Sequence, residues 1–190
     1  MTYREAINLG EKVLNMADVA DAKIDAWLLL EMVCKIDRSF YYLHMEDEVA
    51  EEQLSEYEIA LRKRAEHVPL QYIVGEAEFM GLKFKVNSNV LIPRQDTETL
   101  VEEALKVVKP EMKVLDMCTG SGCIIVSIVH NIREVEGTAT DISKQALLVA
   151  KENAKLNQVS VTFERSDLFD NVTGTYDAVS YTHLTLPTNS

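Results

Sequence analysis

The sequence predicts an α/β protein: an amino-terminal helical bundle, a short β-hairpin linker, then an open domain built on a parallel sheet. Three observations carry the prediction. Residues 1–68 contain no proline and one glycine, Gly10, and these two residue types are the strongest local breakers of helices. At Pro69 the texture changes, and apolar and polar residues alternate from Phe79 to Val86. From Lys113 onward short apolar runs alternate with helical stretches, the pattern of parallel strands joined by right-handed crossovers.

In the first part, Ala26, Leu29, Leu30 and Val33 recur at helical spacing, and Leu54, Tyr57 and Leu61 repeat the pattern with charged residues between them. A turn is expected at residues 35–39, and the acidic run 47–52 reads as a solvated helix face. Tyr72, Ile73 and Val74 read as a short strand ended by Gly75. Phe79, Gly81, Leu82, Phe84 and Val86, with Lys83 and Lys85 interleaved, suit a half-exposed hairpin. Val90, Leu91 and Ile92 lead into Pro93. After the polar Arg94-Gln95-Asp96-Thr97, a helix is expected over residues 98–108, capped by Asp96 or Thr97 with Glu98 near its positive end.

The sheet domain then follows. Strands are expected at 114–117, 138–141 and 159–164, with a fourth beginning at Tyr176-Asp177-Ala178-Val179. A glycine turn at 118–122 and an apolar helix at 123–130 follow the first strand, and a helix at 143–156 follows the second. The chain shows no internal repeat and no low-complexity tract.

The bulk numbers narrow the function. A chain of 190 residues, 47% hydrophobic and 26% charged, suffices for one ordinary domain or two small ones. A net charge of −12 and a pI near 4.8 argue against generic binding to nucleic-acid backbone, where Lys and Arg supply the affinity. A protein partner with a basic patch stays open. The amino terminus has no basic start and apolar run of a signal peptide, and no stretch approaches the roughly 18 apolar residues of a membrane helix. Cys34, Cys118 and Cys123 are odd in number and fit neither a disulfide framework nor a four-ligand zinc site. Four scattered histidines lack His-Glu-x-x-His spacing, and His67 and His130 read as incidental surface or cap residues. These features lead us to expect a reduced, cytoplasmic monomer without metal, membrane or direct nucleic-acid contact.

The segment with the most chemistry is Val114-Leu115-Asp116-Met117-Cys118-Thr119-Gly120-Ser121-Gly122-Cys123. A strand ends in an acid, turns through small residues and enters a helix. Gly120 and Gly122 let a ligand approach the backbone, and the helix start offers free N–H groups. A dinucleotide fingerprint needs a third glycine at position 125, where Ile125 stands, so a nucleoside without pyrophosphate fits better than a nicotinamide dinucleotide. An ordinary glycine-rich turn is the plainer reading of this segment taken alone. Asp141 ends the second strand about 20 residues past the glycines, where nucleotide-binding α/β folds place an acid for ribose hydroxyls. Its plainer reading is a cap for the helix after Ser143. Asp167, after the third strand, could reach an adenine amino group. Cys118 and Cys123 are read as small packing residues rather than redox or metal groups.

Three stretches resemble the PrmC/HemK family of release-factor glutamine methyltransferases. Pro69-Leu70-Gln71-Tyr72-Ile73-Val74-Gly75, followed by Glu78-Phe79, is similar to its interdomain hairpin. Val90-Leu91-Ile92-Pro93-Arg94-Gln95-Asp96-Thr97-Glu98 resembles its Ile-Pro-Arg-x-Asp-Thr-Glu signature, and the Asp116–Gly122 turn resembles its Asp-Leu-Gly-Thr-Gly-Ser-Gly motif. The resemblance covers residues 1 to about 179. It implies a helical substrate-recognition domain at 1–68, a hairpin linker at 69–92 and an incomplete Rossmann-like S-adenosylmethionine methyltransferase domain at 93–179. It further implies a peptide-chain release factor as partner. The implied cofactor set is Asp116 with Cys118, Thr119, Gly120, Ser121 and Gly122 around the methionine part. Asp141 and Ile142 would serve the ribose, and Asp167 and Leu168 the adenine. Cys118 replaces the usual glycine, and Leu168 stands where some relatives carry an aromatic residue.

The departure lies at the end. The family's Asn-Pro-Pro-Tyr, whose asparagine and first proline carbonyl hold the substrate amide, is expected after the fourth strand and occurs nowhere in the chain. Residues 180–190 are therefore read as a non-native tail from a shifted frame or a mis-joined gene. No catalytic residue is assigned, the chain as it stands is expected to be inactive, and the first strand is expected near an open sheet edge. The rivals are an N6-adenine nucleic-acid methyltransferase, which shares a related catalytic motif, and a non-enzymatic release-factor-binding fragment. A nicotinamide-dependent oxidoreductase comes last, because of Ile125.

Overall fold

The computed structural model describes residues 1–181. The chain divides into two compact units, Met1–Gly75 and a second beginning at Glu76.

The first unit is helical. α1 (Tyr3–Met16) opens with a reciprocal capping box: the Glu5 N–H donates to Thr2 Oγ1 at 3.2 Å, and the Thr2 N–H to Glu5 Oε2 at 2.9 Å. α2 (Ala22–Cys34) ends at Lys35 in the left-handed region. α3 (Arg38–His44) is capped by Asp37, α4 runs Glu51–Ala65, and α5 spans Leu70–Val74. Leu14, Ala26, Leu29, Leu30, Tyr57 and Leu61 form its core. Gly10 lets the Tyr57 ring lie directly against α1, where a Cβ would collide with the phenol oxygen. That hydroxyl donates to the Ala26 carbonyl at 3.1 Å. Arg64 Nε donates to the buried Asp25 carboxylate at 2.6 Å, closing α4 onto α2.

Two expectations need correcting here. The strand expected at Tyr72, Ile73 and Val74 is the helix α5: Leu70, Ile73 and Val74 pack on the bundle core, and Gly75 (φ +82°) ends the turn. A short apolar run is the case in which periodicity cannot separate strand from buried helix. The acidic residues Asp47, Glu48, Glu51 and Glu52 are exposed while Val49 between them is buried in the core, only Glu51 and Glu52 are helical, and Glu48 instead bridges back to Thr2.

In the second unit β1 (Glu76–Phe79) and β2 (Leu82–Lys85) form an antiparallel hairpin. Its two-residue turn, Met80 (φ +51°) and Gly81 (φ +71°), has the double positive φ of a type I′ turn. α6 (Gln95–Val107) starts three residues earlier than expected. Asp96 and Thr97 lie in its first turn, Arg94 is the capping position, and no side chain closes the cap. Pro93 keeps the segment before α6 extended, and Asp96 and Glu98 still sit at its positive end.

β3 (Lys113–Met117), α7 (Cys123–Asn131), β4 (Glu136–Asp141), α8 (Lys144–Leu156), β5 (Val161–Arg165) and β6 (Ala178–Tyr181) follow. The four strands form one parallel sheet in the order β5-β4-β3-β6. Apolar residues of α6, α7 and α8 gather with Val114, Ala139 and Ala178 on one face. Gly137 is required there, because a Cβ would come within 2.7 Å of Val129 Cγ2. β3 has a neighbour on each side; among the described residues β5 and β6 are the outer strands, and Val179 and Tyr181 of β6 are half exposed. Ser180 and Tyr181 thus belong to the sheet, while the remainder of the expected tail lies outside the described residues.

Candidate functional site

The parallel register brings the carboxyl ends of β3, β4 and β5 to one edge of the sheet. Met117 stands opposite Thr140, and Asp141 opposite Arg165. Chains turn back toward their helices there, which is where open α/β sheets bind ligands.

The turn after β3 is held from below by Asp116. Its side chain is fully buried and accepts from Thr119 Oγ1 at 2.5 Å and Ser180 Oγ at 2.7 Å. Burial pushes its carboxyl up to about 6, and the two hydroxyl donors oppose that rise. Asp116 therefore shapes the turn from inside rather than facing outward. Above it, Cys118 (φ +56°), Gly120 (φ +55°) and Gly122 (φ +79°) all take positive φ. The two glycines differ in what they face. A Cβ at Gly120 would meet nothing within 4 Å, whereas one at Gly122 would come 3.1 Å from Ala150 Cβ on α8. Gly120 leaves open space for a ligand; Gly122 allows close packing.

Asp141 is the second fixed group. Its Oδ2 accepts the Gly120 N–H at 3.0 Å and its Oδ1 the Ser143 N–H at 2.8 Å. Each oxygen keeps a further lone pair, and the side chain is part-exposed, so a rigid acceptor remains available to hydroxyl groups. The expected cap of α8 is instead Ser143, whose Oγ accepts from the Ala146 N–H. Ile142 is exposed beside Asp141, and Arg165 Nε donates to its carbonyl at 2.9 Å. Asp167 and Leu168 are exposed just past β5, Leu168 with φ +47°.

A cavity of about 630 Å³ opens at the glycine turn. One wall is Cys118, Thr119, Gly120 and Ser121 with the start of α7; the other is residues 91–94 with Asp96 and Thr97; Tyr181 also lines it. The structure thus gathers Cys118, Thr119, Gly120 and Ser121 in one cavity. Asp141 joins them through its bond to Gly120, while Ile142, Asp167 and Leu168 lie outside the lining along the sheet edge. Ile125 is fully buried, and its side chain lies beside Gly137 on β4.

Sequence reasoning singled out the Ile-Pro-Arg-Gln-Asp-Thr-Glu segment as a signature but gave its residues no place in the site. The structure makes Ile92, Pro93, Arg94, Asp96 and Thr97 a cavity wall. The density of rigid and charged residues in that short segment was the available signal. Both cysteines of the turn line the cavity as neutral thiols: burial pushes Cys123 up to about 12, and burial with the carboxylates of Asp141, Asp116 and Asp167 raises Cys118. No helix among the described residues is long and apolar enough to cross a membrane.

A parallel sheet with three helices on one face, and a small-residue turn opening into a cavity at its carboxyl edge, defines an open α/β domain of the class that binds ligands where its strands end. The Methyltransferase small domain matches residues 94–181, and the PrmC N-terminal domain matches residues 5–75. A Release factor glutamine methyltransferase of Deinococcus radiodurans is 33% identical over 99% of this chain and 68% of its own length. One of Koribacter versatilis is 37% identical over 88% of this chain and 61% of its own. A solved ribosomal protein L11 methylase from Lactobacillus delbrueckii is 31% identical over 45% of each chain, with a TM-score of 0.39. The chain belongs to the release factor glutamine methyltransferase family. It spans 61% and 68% of the length of these two release-factor relatives, and about half the length of others that it matches.

Proposed function

We propose that this chain carries the cofactor-binding part of an enzyme that transfers a methyl group from S-adenosylmethionine to the side-chain amide of the glutamine in the Gly-Gly-Gln motif of peptide-chain release factors. The observation that carries the reading is the fixed pair of Gly120 and Asp141 at the mouth of the cavity: an open backbone and a rigid carboxylate, joined by one hydrogen bond. A nucleoside that also carries an amino-acid tail needs both, a close backbone approach for the tail and acceptors for its diol.

Cys118, Thr119, Gly120, Ser121 and Gly122 would hold the methionine part, Asp141 and Ile142 the ribose, and Asp167 and Leu168 the adenine. Asp116 would act from beneath, through Thr119. The cofactor supplies an electrophilic methyl on a sulfonium centre. An amide nitrogen is a poor nucleophile, so the protein's contribution is to align it and to keep water away, and positioning supplies much of the rate. The second wall, with Arg94, Asp96 and Thr97, lines the same cavity as the glycine turn and would orient the incoming amide. The helices of residues 1–68 would recognise the release factor, in a reducing cytoplasm compatible with three free cysteines.

Calorimetric titration with S-adenosylhomocysteine, on the wild type and on Asp141→Ala, tests the reading directly. We expect binding that Asp141→Ala weakens about tenfold or more, since two or more charge-assisted hydrogen bonds are lost. Binding that Asp141→Ala leaves unchanged would sink the assignment. For the 190-residue polypeptide, whose sequence holds no Asn-Pro-Pro-Tyr, we expect cofactor binding without turnover. Labelled methyl appearing on a release factor would overturn that expectation. Label on DNA, with the release factor unmodified, would favour the nucleic-acid rival. Release-factor binding without cofactor affinity would favour the docking fragment.

A further inference from the structure

The β1–β2 hairpin carries no group that the proposed chemistry uses, yet it is hydrogen-bonded to Glu98, the residue that follows one wall of the cavity, and to Asn153, which is itself bonded to the other wall. At its tip the Met80 N–H donates to Glu98 Oε1 at 2.6 Å, in the first turn of α6 and directly after Asp96 and Thr97 of one wall. At its other end the Lys85 N–H donates to Asn153 Oδ1 at 2.6 Å, and the Lys85 carbonyl accepts from Asn153 Nδ2 at 3.0 Å. The second Nδ2 hydrogen goes to the Ser121 carbonyl at 2.8 Å, in the opposite wall. Asn153, on α8, is fully buried. Its amide satisfies both donors and its acceptor across two other segments, which holds it in one orientation. The hairpin tip is a type I′ turn, with Met80 in the left-handed region, and the Met80 N–H is held by Glu98.

We propose that Glu98 and Asn153 are positioning residues that set the separation of the two cavity walls through the β1–β2 hairpin. The inference rests on the cavity being the cofactor site. Asn153 acts through the Ser121 carbonyl, restraining the Ser121–Gly122 peptide and with it the backbone that a ligand approaches. Glu98 acts through the start of α6, holding Asp96 and Thr97 at a set height against the hairpin. A strand pair with little side-chain chemistry thereby works as a spacer.

Two variants separate this role from mere packing. Asn153→Asp keeps an acceptor for the Lys85 N–H but turns both donors into acceptors, so the Ser121 carbonyl loses its partner. Glu98→Gln keeps the acceptor for Met80, and Glu98→Ala removes it. The readouts are the affinity for S-adenosylhomocysteine and amide hydrogen exchange in the ligand-free protein. Asn153→Asp and Glu98→Ala are each expected to weaken binding about tenfold, with Glu98→Gln within about twofold of wild type. Exchange should quicken at Gly120 and Gly122 in the first variant, and at Asp96 and Thr97 in the second. If Asn153→Asp unfolds the unit, the Glu98 pair decides alone. Affinity and exchange untouched in Glu98→Ala, or a Glu98→Gln as impaired as Glu98→Ala, overturns the proposal. If the wild type binds no S-adenosylhomocysteine, the cofactor reading falls, and the exchange measurements still judge the spacer.

Discussion

Asp116 concentrates the physical chemistry of the site in a single side chain. It is fully buried, holds Thr119 and Ser180, and titrates near 6 rather than near its ordinary value of about 4. Between those two values the folded chain binds a proton that the unfolded chain does not. Asp116 is therefore best tolerated below about pH 4, and its contribution to stability is lost as pH rises through about 6. Asp116→Asn mimics the neutral form at all pH values. Urea unfolding between pH 4 and 8 should show the variant gaining on the wild type as pH rises, with the gain levelling above about 7. A difference independent of pH would mean that Asp116 is not held at a raised value.

At the scale of the element, the glycine turn shows why two residues of one type are not interchangeable. Both Gly120 and Gly122 carry positive φ, so alanine at either is strained by roughly 1 kcal/mol. Gly122→Ala also pushes a methyl toward Ala150, adding overpacking of about 1–3 kcal/mol, whereas Gly120→Ala meets open space. We predict that Gly122→Ala lowers the unfolding free energy clearly more than Gly120→Ala. Gly120→Ala should instead act on cofactor affinity, because its methyl enters the space left for the ligand. Equal stability losses, measured by denaturant titration, would contradict the division. The turn's existence was legible in the run Cys118-Thr119-Gly120-Ser121-Gly122. The different duties of its glycines were not, because they depend on where α8 lies.

The described residues form two hydrophobic cores, one of helices among residues 1–75 and one between the sheet and its helices. A cofactor at the sheet edge acts on the second. Saturation at a hundred times the dissociation constant should stabilise that unit by about 2.7 kcal/mol. Amide exchange should slow across β3, the glycine turn and β4 when S-adenosylhomocysteine is added, with α1, α2 and α4 unchanged. Slowing confined to the helical unit would place the ligand elsewhere.

Much of this was open to reading from residues alone, where local rules act alone. The first 68 residues, with no proline and a single glycine, imposed helices, the short apolar runs after Lys113 imposed a parallel sheet, and the signature segments carried the family. The acid after the glycines is where spacing put it, at the end of β4. Tertiary structure decided what depends on partners distant in sequence. Tyr72, Ile73 and Val74 became helix because a bundle core was there to receive them. Asp116 turned inward because Ser180, 64 residues later, meets it on the neighbouring strand. Asn153 ties Lys85 to Ser121 only because α8 passes between hairpin and turn. Local sequence sets propensity and period over a few residues. Which polar atom finds which partner is settled by chain segments that the fold alone brings together.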